Sequence, residues 1–180
     1  LFNRAIQGVY ELGSTFKIFA IAQALELKLV SPETMINVSG PLRWGKFKIR
    51  DFHNYGSELP VKKVISKSSN IGTARIAQEI GSIEQQKFLK SLGFFDIVPL
   101  EMVEASGGKP LLPKNWSELS TMTVSYGHGL SATPLHLAAA YAAIGNGGYR
   151  VTPTLQIQEN QKYGDRVISE VVSKQALSML

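Results

Sequence analysis

Ser14-Thr15-Phe16-Lys17 is the first stretch whose residue types and spacing could carry chemistry. Three residues along a helix put two side chains on one face, about 4.5 Å apart along the axis. A serine hydroxyl attacks a carbonyl efficiently only when a neighbour takes its proton. A lysine can take it if its ammonium gives up its own proton near neutral pH, and burial among apolar groups pushes it that way. Lys17 stands between Phe16 and Ile18-Phe19, so partial burial is expected. A serine at a helix N-terminus also faces backbone N–H groups that favour a developing oxyanion. The plain alternative is a capping serine followed by a surface lysine, since Ser-x-x-Lys recurs by chance. Ser68-Ser69-Asn70 is the second such stretch. Its outer residues sit in a short break between two helical segments, where a hydroxyl can relay a proton and an amide can both donate to and accept from a peptide. Here the plain alternative is that Ser69 or Asn70 merely caps the second helix.

These residues need elements to hold them. Ser14 to Leu29 reads as a helix with Ser14 as N-cap, because Phe16, Phe19, Ala20, Ala24 and Leu27 recur at helical spacing. Trp44 to Ile49 reads as a short strand and Phe52 to Pro60 as loop. Val61–Lys67 and Ile71–Ile80 read as helices on either side of the serine break, the second closed by Gly81. Ser82 with Gln85 has the form of a capping box, and Gly93 ends that helix. Thr133-Pro134 opens an alanine-rich helix to Ile144. Tyr149–Ile157 is a candidate strand interrupted by Pro153, and Ser173–Leu180 a final helix. Helices dominate, which predicts an α-rich α+β domain and not a parallel α/β sheet.

Composition narrows the functions. The chain has 180 residues, 44% apolar and 18% charged, enough for one domain with a real core. Net charge is +5, but the basic residues are scattered, with only Lys62-Lys63 adjacent. That excludes a nucleic-acid stripe and leaves a solvated mixed surface, or a preference for anionic surroundings. There is no cysteine, so disulfides and thiolate metal sites are excluded, and His53, His128 and His136 lack metal-ligand spacing. The carboxylates Asp96, Glu101, Glu104 and Glu118 show no pairing for glycosidase chemistry. No apolar run is long enough to span a bilayer, the best being Ala138–Ile144. The chain opens at Leu1 without a methionine, which reads as a piece of a longer protein.

Taken in order, Ser-x-x-Lys and Ser-x-Asn resemble the first two of three motifs in penicillin-recognising serine enzymes. The surroundings sharpen the likeness. Tyr10-Glu11-Leu12-Gly13-Ser14-Thr15-Phe16-Lys17 resembles the first-motif context of class B penicillin-binding proteins, with Leu12 where a proline is usual. Ser66 to Gly72 resembles their second motif. Ser125-Tyr126-Gly127-His128-Gly129, Thr133 to Ala138 and Ala142 to Gly148 resemble the stretch before the third. Ile49-Arg50-Asp51 and the Asn70 ending look like the cell-division branch. The likeness runs from Gly8 to about Pro153.

The resemblance implies a penicillin-binding protein/serine β-lactamase-like fold and a peptidoglycan D,D-transpeptidase. Ser14 would be the nucleophile, Lys17 its base, Ser68 a proton relay and Asn70 a substrate-binding residue, with Tyr126 as an aromatic wall or else a core tyrosine. His128 would be a loop histidine, and Phe52 would lie over the cleft. The ligands implied are stem peptides ending in D-alanyl-D-alanine and β-lactams, with no metal or organic cofactor. The partners implied are division proteins including a lipid-linked polymerase. An anchor outside the chain would hold the domain on the outer side of the cytoplasmic membrane, facing periplasm or exterior. One departure is plain: the third motif, Lys-Thr-Gly or Lys-Ser-Gly, is absent from the 180 residues. A partial domain over 1–180, mostly the helical part and ending before that strand, is therefore expected. Three alternatives stay open: a β-lactamase or β-lactam sensor of the same fold, a non-catalytic division scaffold, and a helical binding module with chance motifs.

Overall fold

The computed structural model describes residues 2–158 and 164–180. In chain order the elements are β1 (Tyr10–Glu11), a 3₁₀ turn (Gly13–Phe16), α1 (Lys17–Glu26), β2 (Met35–Asn37), β3 (Leu42–Trp44) and β4 (Phe47–Ile49). They continue with β5 (Glu58–Pro60), α2 (Val61–Ser66), α3 (Asn70–Ile80), α4 (Ser82–Ser91) and a second 3₁₀ turn (Val103–Gly107). α5 (Glu118–Ser125), β6 (Ser131–Ala132), α6 (Pro134–Gly145) and α7 (Glu170–Leu177) complete the order.

α1 is the axis of the domain. Every residue from Lys17 to Leu25 is buried, as befits a helix apolar on nearly all sides. It packs against α2, α3, α4, α5 and α7. Phe16, Phe19, Phe94 and Tyr141 surround its first turns with edge-to-face rings 4.9–5.4 Å apart. Rings so arranged contribute about 0.5–1.5 kcal/mol per pair beyond their buried area. A second, smaller cluster gathers Ile49, Ile71, Ala74, Met122 and Tyr126. α3 belongs to both, giving Ile76 and Ile80 to the first and Ile71 and Ala74 to the second.

The strands are short antiparallel pairs that pin loops to this helical body. β1 pairs with β6 (Tyr10 opposite Ala132), β2 with β5 (Ile36 opposite Leu59), and β3 with β4 (Arg43 opposite Lys48).

Several expectations need correction. Ser14 is not a helix N-cap: it lies inside the 3₁₀ turn, and the α-helix begins only at Lys17. The single strand at Trp44–Ile49 is a β3–β4 hairpin turning at Gly45-Lys46, and the loop Phe52–Pro60 ends in β5. Ser82 and Gln85 form no capping box. Gln85 is buried and spent on tertiary contacts instead, donating to the Thr121 carbonyl and accepting from the Trp116 indole. Tyr149–Ile157 forms no strand; Tyr149 sits in an isolated bridge with Arg166. α7 starts at Glu170, three residues before the expected start, because Ser169 caps it by accepting from the Val172 N–H. Thr133 and Pro134 do open α6 as expected, with His136 closing a capping box.

Candidate active site

The turn that carries Ser14 is fixed from three sides. The Gly13 N–H donates to the Gly127 carbonyl at 3.1 Å. The Thr15 hydroxyl donates to Leu12 O at 2.6 Å. Tyr141, reaching over from α6, donates its hydroxyl to Thr15 O at 2.7 Å. Gly127 has to be glycine: its φ is +84°, and a Cβ there would run into the Gly13 backbone. Ser14 itself is exposed, and among the described residues its hydroxyl has no hydrogen-bond partner.

Lys17 follows one turn later and is only 1% exposed. Its Nζ donates to Ser68 O at 2.6 Å and to Ser68 Oγ at 2.8 Å. No hydrogen bond joins Lys17 to the Ser14 hydroxyl, though residues i and i+3 share a face in a tight helical turn. Burial drives the Lys17 ammonium down to about 8, against a smaller opposing pull from the Asp51 carboxylate. The consequence is large. At pH 7 an ordinary lysine is neutral in about 0.03% of molecules, whereas one near 8 is neutral in about 10%, a gain of roughly 300-fold in available base.

Ser68 sits at the end of α2 in the left-handed region, with φ +55°. The Ser68 N–H donates to Ile65 O and the Ser69 N–H to Val64 O, both at 2.9 Å. That is the Schellman closure of a helix, whose left-handed position glycine usually fills. A serine there costs about 1–2 kcal/mol. Its placement turns the Ser68 hydroxyl and carbonyl together onto Lys17.

The capping role falls to Ser69. Its Oγ accepts from the Gly72 N–H at 2.9 Å and donates to Asp51 Oδ2 at 2.6 Å. Asp51 Oδ1 accepts the N–H groups of Asn70 at 2.6 Å and Ile71 at 3.0 Å. The Asn70 amide donates to Arg50 O at 3.0 Å, and its own oxygen makes no hydrogen bond to a described residue. Because Ser69 does the capping, Ser68 and Asn70 are left for other work. The site lies where the two apolar clusters meet, and a groove of about 310 Å³ lined by Arg50, Asp51, Phe52, His53 and Tyr55 adjoins it.

Tyr126 is 9% exposed and packs with Ile49, Ile71, Ala74 and Met122, the placement of a core side chain beside the site. Burial raises its phenol. His128 lies 5.5 Å from it, ring edge to face, and its Nδ1 is 3.0 Å from Glu11 Oε2. Phe52 is 89% exposed at the groove. Two residues escaped a functional reading from sequence. Glu11 ties β1 to the Tyr126–Gly129 turn by accepting from the Gly129 N–H at 2.7 Å. Asp51 stood out only as a mark of one branch, because its partners are mostly backbone N–H groups that leave no residue pattern.

The chain matches the family described as "Penicillin binding protein transpeptidase domain" over residues 1–180. It is 33% identical to a probable peptidoglycan D,D-transpeptidase FtsI of Caulobacter vibrioides, covering 99% of this chain and 30% of that protein. It is 31% identical to the peptidoglycan D,D-transpeptidase FtsI of Escherichia coli, covering 99% and 30%. The chain thus spans about a third of the length of these curated relatives. Among solved structures, the apo transpeptidase domain of penicillin-binding protein 3 from Burkholderia pseudomallei superposes with a TM-score of 0.91 at 32% identity, covering 99% of this chain and 54% of that one.

Proposed function

The chain belongs to the penicillin-binding protein transpeptidase family, and on that footing we propose that it supplies the nucleophile and proton-transfer residues of a serine peptidoglycan D,D-transpeptidase. The observation that carries the reading is the contact of a buried, weakly basic Lys17 with Ser68, one helical turn from an exposed Ser14.

The steps follow from those positions. Neutral Lys17 accepts the Ser14 proton as Ser14 Oγ attacks the carbonyl carbon of the penultimate D-alanine of a stem peptide. The Ser14 N–H, at the start of its turn, has no partner within that turn and supports the oxyanion. The carbon–nitrogen bond then breaks. The proton passes from Lys17 through Ser68 Oγ to the departing D-alanine amine, leaving an ester on Ser14. The amine of a neighbouring stem peptide attacks this ester and gives its proton back along the same route. The peptide cross-link forms and Ser14 recovers its proton. Asn70, with one amide oxygen open, holds the peptide backbone, while Tyr126 supports the site from behind. β-Lactams, which present a strained amide to the same atoms, acylate Ser14.

The whole protein is proposed to act in division, with partners including a lipid-linked polymerase, and to be held at the cytoplasmic membrane with this domain on its outer side. Among the described residues no helix is long and apolar enough to cross a membrane.

The test is intact-mass analysis of the full-length protein after exposure to benzylpenicillin, with peptide mapping. A lasting adduct on Ser14, lost in Ser14→Ala, is expected. Labelling that survives Ser14→Ala places the nucleophile elsewhere, and an adduct that turns over rapidly points to a β-lactamase.

A further inference from the structure

We propose that the β3–β4 hairpin and the groove at its base form a docking surface for the anionic stem peptide of a second peptidoglycan strand, the strand whose amine attacks the Ser14 ester, with Arg50 taking a carboxylate of that peptide. The proposal rests on the serine-transpeptidase reading above.

Three observations carry it. First, the hairpin holds more charge than its fold uses. Pro41–Arg50 contains Arg43, Lys46, Lys48 and Arg50, and no carboxylate lies between Thr34 and Arg50. That is +4 in one hairpin of a chain whose net charge is +5. All four cations are exposed. Among the described residues none of them joins an ion pair or donates a side-chain hydrogen bond. Second, the register sets two of them against each other. Arg43 stands directly opposite Lys48, and like charges so placed destabilise a strand pair. Ile49 points into the core, so alternation puts Lys48 and Arg50 on the outer face with Arg43. The fold gains nothing from such a stripe, whereas an anionic partner is drawn to it. Third, the stripe ends at the candidate site. Arg50 O accepts the Asn70 amide at 3.0 Å, and Arg50 also lines the groove of about 310 Å³. Tyr55, another lining residue, donates its hydroxyl at 2.8 Å to the carbonyl of Lys67, the residue before Ser68. The groove is thus tied to both Asn70 and the Ser68 turn.

The occupant follows from place and charge. Transfer needs two peptides, one esterified to Ser14 and one bringing an amine to that ester. Asn70 holds the first, so the second has to arrive from beside it, where the groove lies. Stem peptides carry free carboxylates, which a guanidinium can take in a bidentate pair. Trp44 and Phe47, opposite each other and exposed near the hairpin tip, add the aromatic area found in recognition surfaces. A flat lipid surface would meet the outer stripe without entering the groove.

The test uses the full-length protein and dansyl-L-alanyl-γ-D-glutamyl-L-lysine, a stem tripeptide with free carboxylates and a free amine that lacks the D-alanines and so cannot acylate Ser14. Binding is followed by dansyl fluorescence in about 50 and 300 mM NaCl, beside the twin peptide whose carboxylates are carboxamides. Benzylpenicillin labelling that depends on Ser14 is measured in parallel, and its absence sinks the transpeptidase reading itself. Given that labelling, the tripeptide is expected to bind about 10-fold more tightly than its twin at low salt, and Arg50→Gln to remove that margin, the scale of one charge-assisted bond. Arg43→Gln/Lys48→Gln is expected to weaken binding about 3-fold at low salt and not at high salt, as exposed charges do. It should not lower the melting temperature, because it relieves the opposed pair. Equal binding of tripeptide and twin, or binding that survives both variants, overturns the proposal. So does a double variant that melts lower, which would show the cations serving the fold. A pentaglutamate peptide that binds as tightly as the tripeptide gives the surface to an acidic protein segment. Binding to phosphatidylglycerol vesicles without binding to the tripeptide gives it to a membrane. Either result overturns the proposal. If Arg50→Gln fails to fold, the double variant decides: a salt-dependent loss of tripeptide binding supports the proposal, and no loss overturns it.

Discussion

Ser68→Gly should leave a more stable protein than Ser68→Ala, although both remove the same hydroxyl. Each variant loses the 2.8 Å contact from Lys17 to Ser68 Oγ and keeps the 2.6 Å contact to the Ser68 carbonyl, so those terms cancel in the comparison. What differs is the Cβ at φ +55°. Alanine retains a left-handed penalty of about 1–2 kcal/mol, which glycine escapes. Glycine gives back about 0.4–1 kcal/mol through the extra freedom of its unfolded chain. The balance is about 1 kcal/mol in favour of glycine, or roughly 2–4 °C in melting temperature for a domain of this size. Thermal unfolding followed by circular dichroism reads this directly, and penicillin labelling of the same samples should be severely slowed in both. Lys28 supplies the control. It closes α1 with the same pattern, its N–H donating to Leu25 O and the Leu29 N–H to Ala24 O, at φ +57°. Lys28→Gly should exceed Lys28→Ala by a similar margin with labelling unchanged. A Ser68→Ala that melts at or above Ser68→Gly, while the Lys28 pair behaves, would refute the claim that Ser68 is held under local strain.

Gly127→Ala should destabilise the protein by at least about 2 kcal/mol, combining a left-handed penalty with a backbone clash, and should slow penicillin labelling because the clash is with Gly13 beside Ser14, the proposed nucleophile; chemical denaturation and labelling rate check the two halves, and a neutral substitution would show that the Gly13–Gly127 contact does not hold the turn. His136 uses both ring nitrogens as a neutral imidazole, one at the Thr133 cap and the other donating to Asp96 O at 2.8 Å, and burial lowers its proton affinity. Below about pH 6.5 the unfolded chain therefore takes up a proton that the folded chain resists, so stability is lost as pH falls. His136→Gln keeps a capping-box side chain without titrating, and melting curves at pH 7 and 5.5 should differ less for it than for the unmodified protein; an equal drop in both removes His136 from the acid response.

What the sequence revealed depended on whether the governing contacts were local. The helix spacing, Thr133-Pro134 opening α6, and Gly81 and Gly93 at helix ends follow from neighbours within a turn or two. So does the burial of Lys17, legible from Phe16, Ile18 and Phe19. Apart from the stretch Trp44–Ile49, which holds β4 and the end of β3, the strands were not legible, because pairs of two or three residues owe their pairing to the rest of the fold: β1 meets β6 across some 120 residues of chain. Gln85 looked like the far end of a capping box, and only the position of Trp116 and Thr121 diverts it. The start of α1 shifted for the same reason. Gly127 and Tyr141, both more than a hundred residues away, hold Gly13–Phe16 in a tighter turn.

Four helix ends among the described residues share one closure, at Lys28, Ser68, Gly93 and Gly127, and only the two glycines follow the local preference. Strain by itself therefore does not mark the site. Lys28 is strained and exposed, with its side chain in solvent. At Ser68 the same strain coincides with a second unfavourable choice, a lysine removed from water, and each is oriented by the other: the carbonyl and hydroxyl that the left-handed turn exposes are the groups Lys17 binds. Either feature alone could be replaced to the benefit of the fold, by glycine at 68 or by an apolar residue at 17. Together they leave a weakly basic amine and a hydroxyl in contact beside an exposed serine. Their cost is offset nearby by the interlocked rings of Phe16, Phe19, Phe94 and Tyr141 at the same end of α1. It is this pairing of two local violations on one contact, not either outlier alone, that points to chemistry.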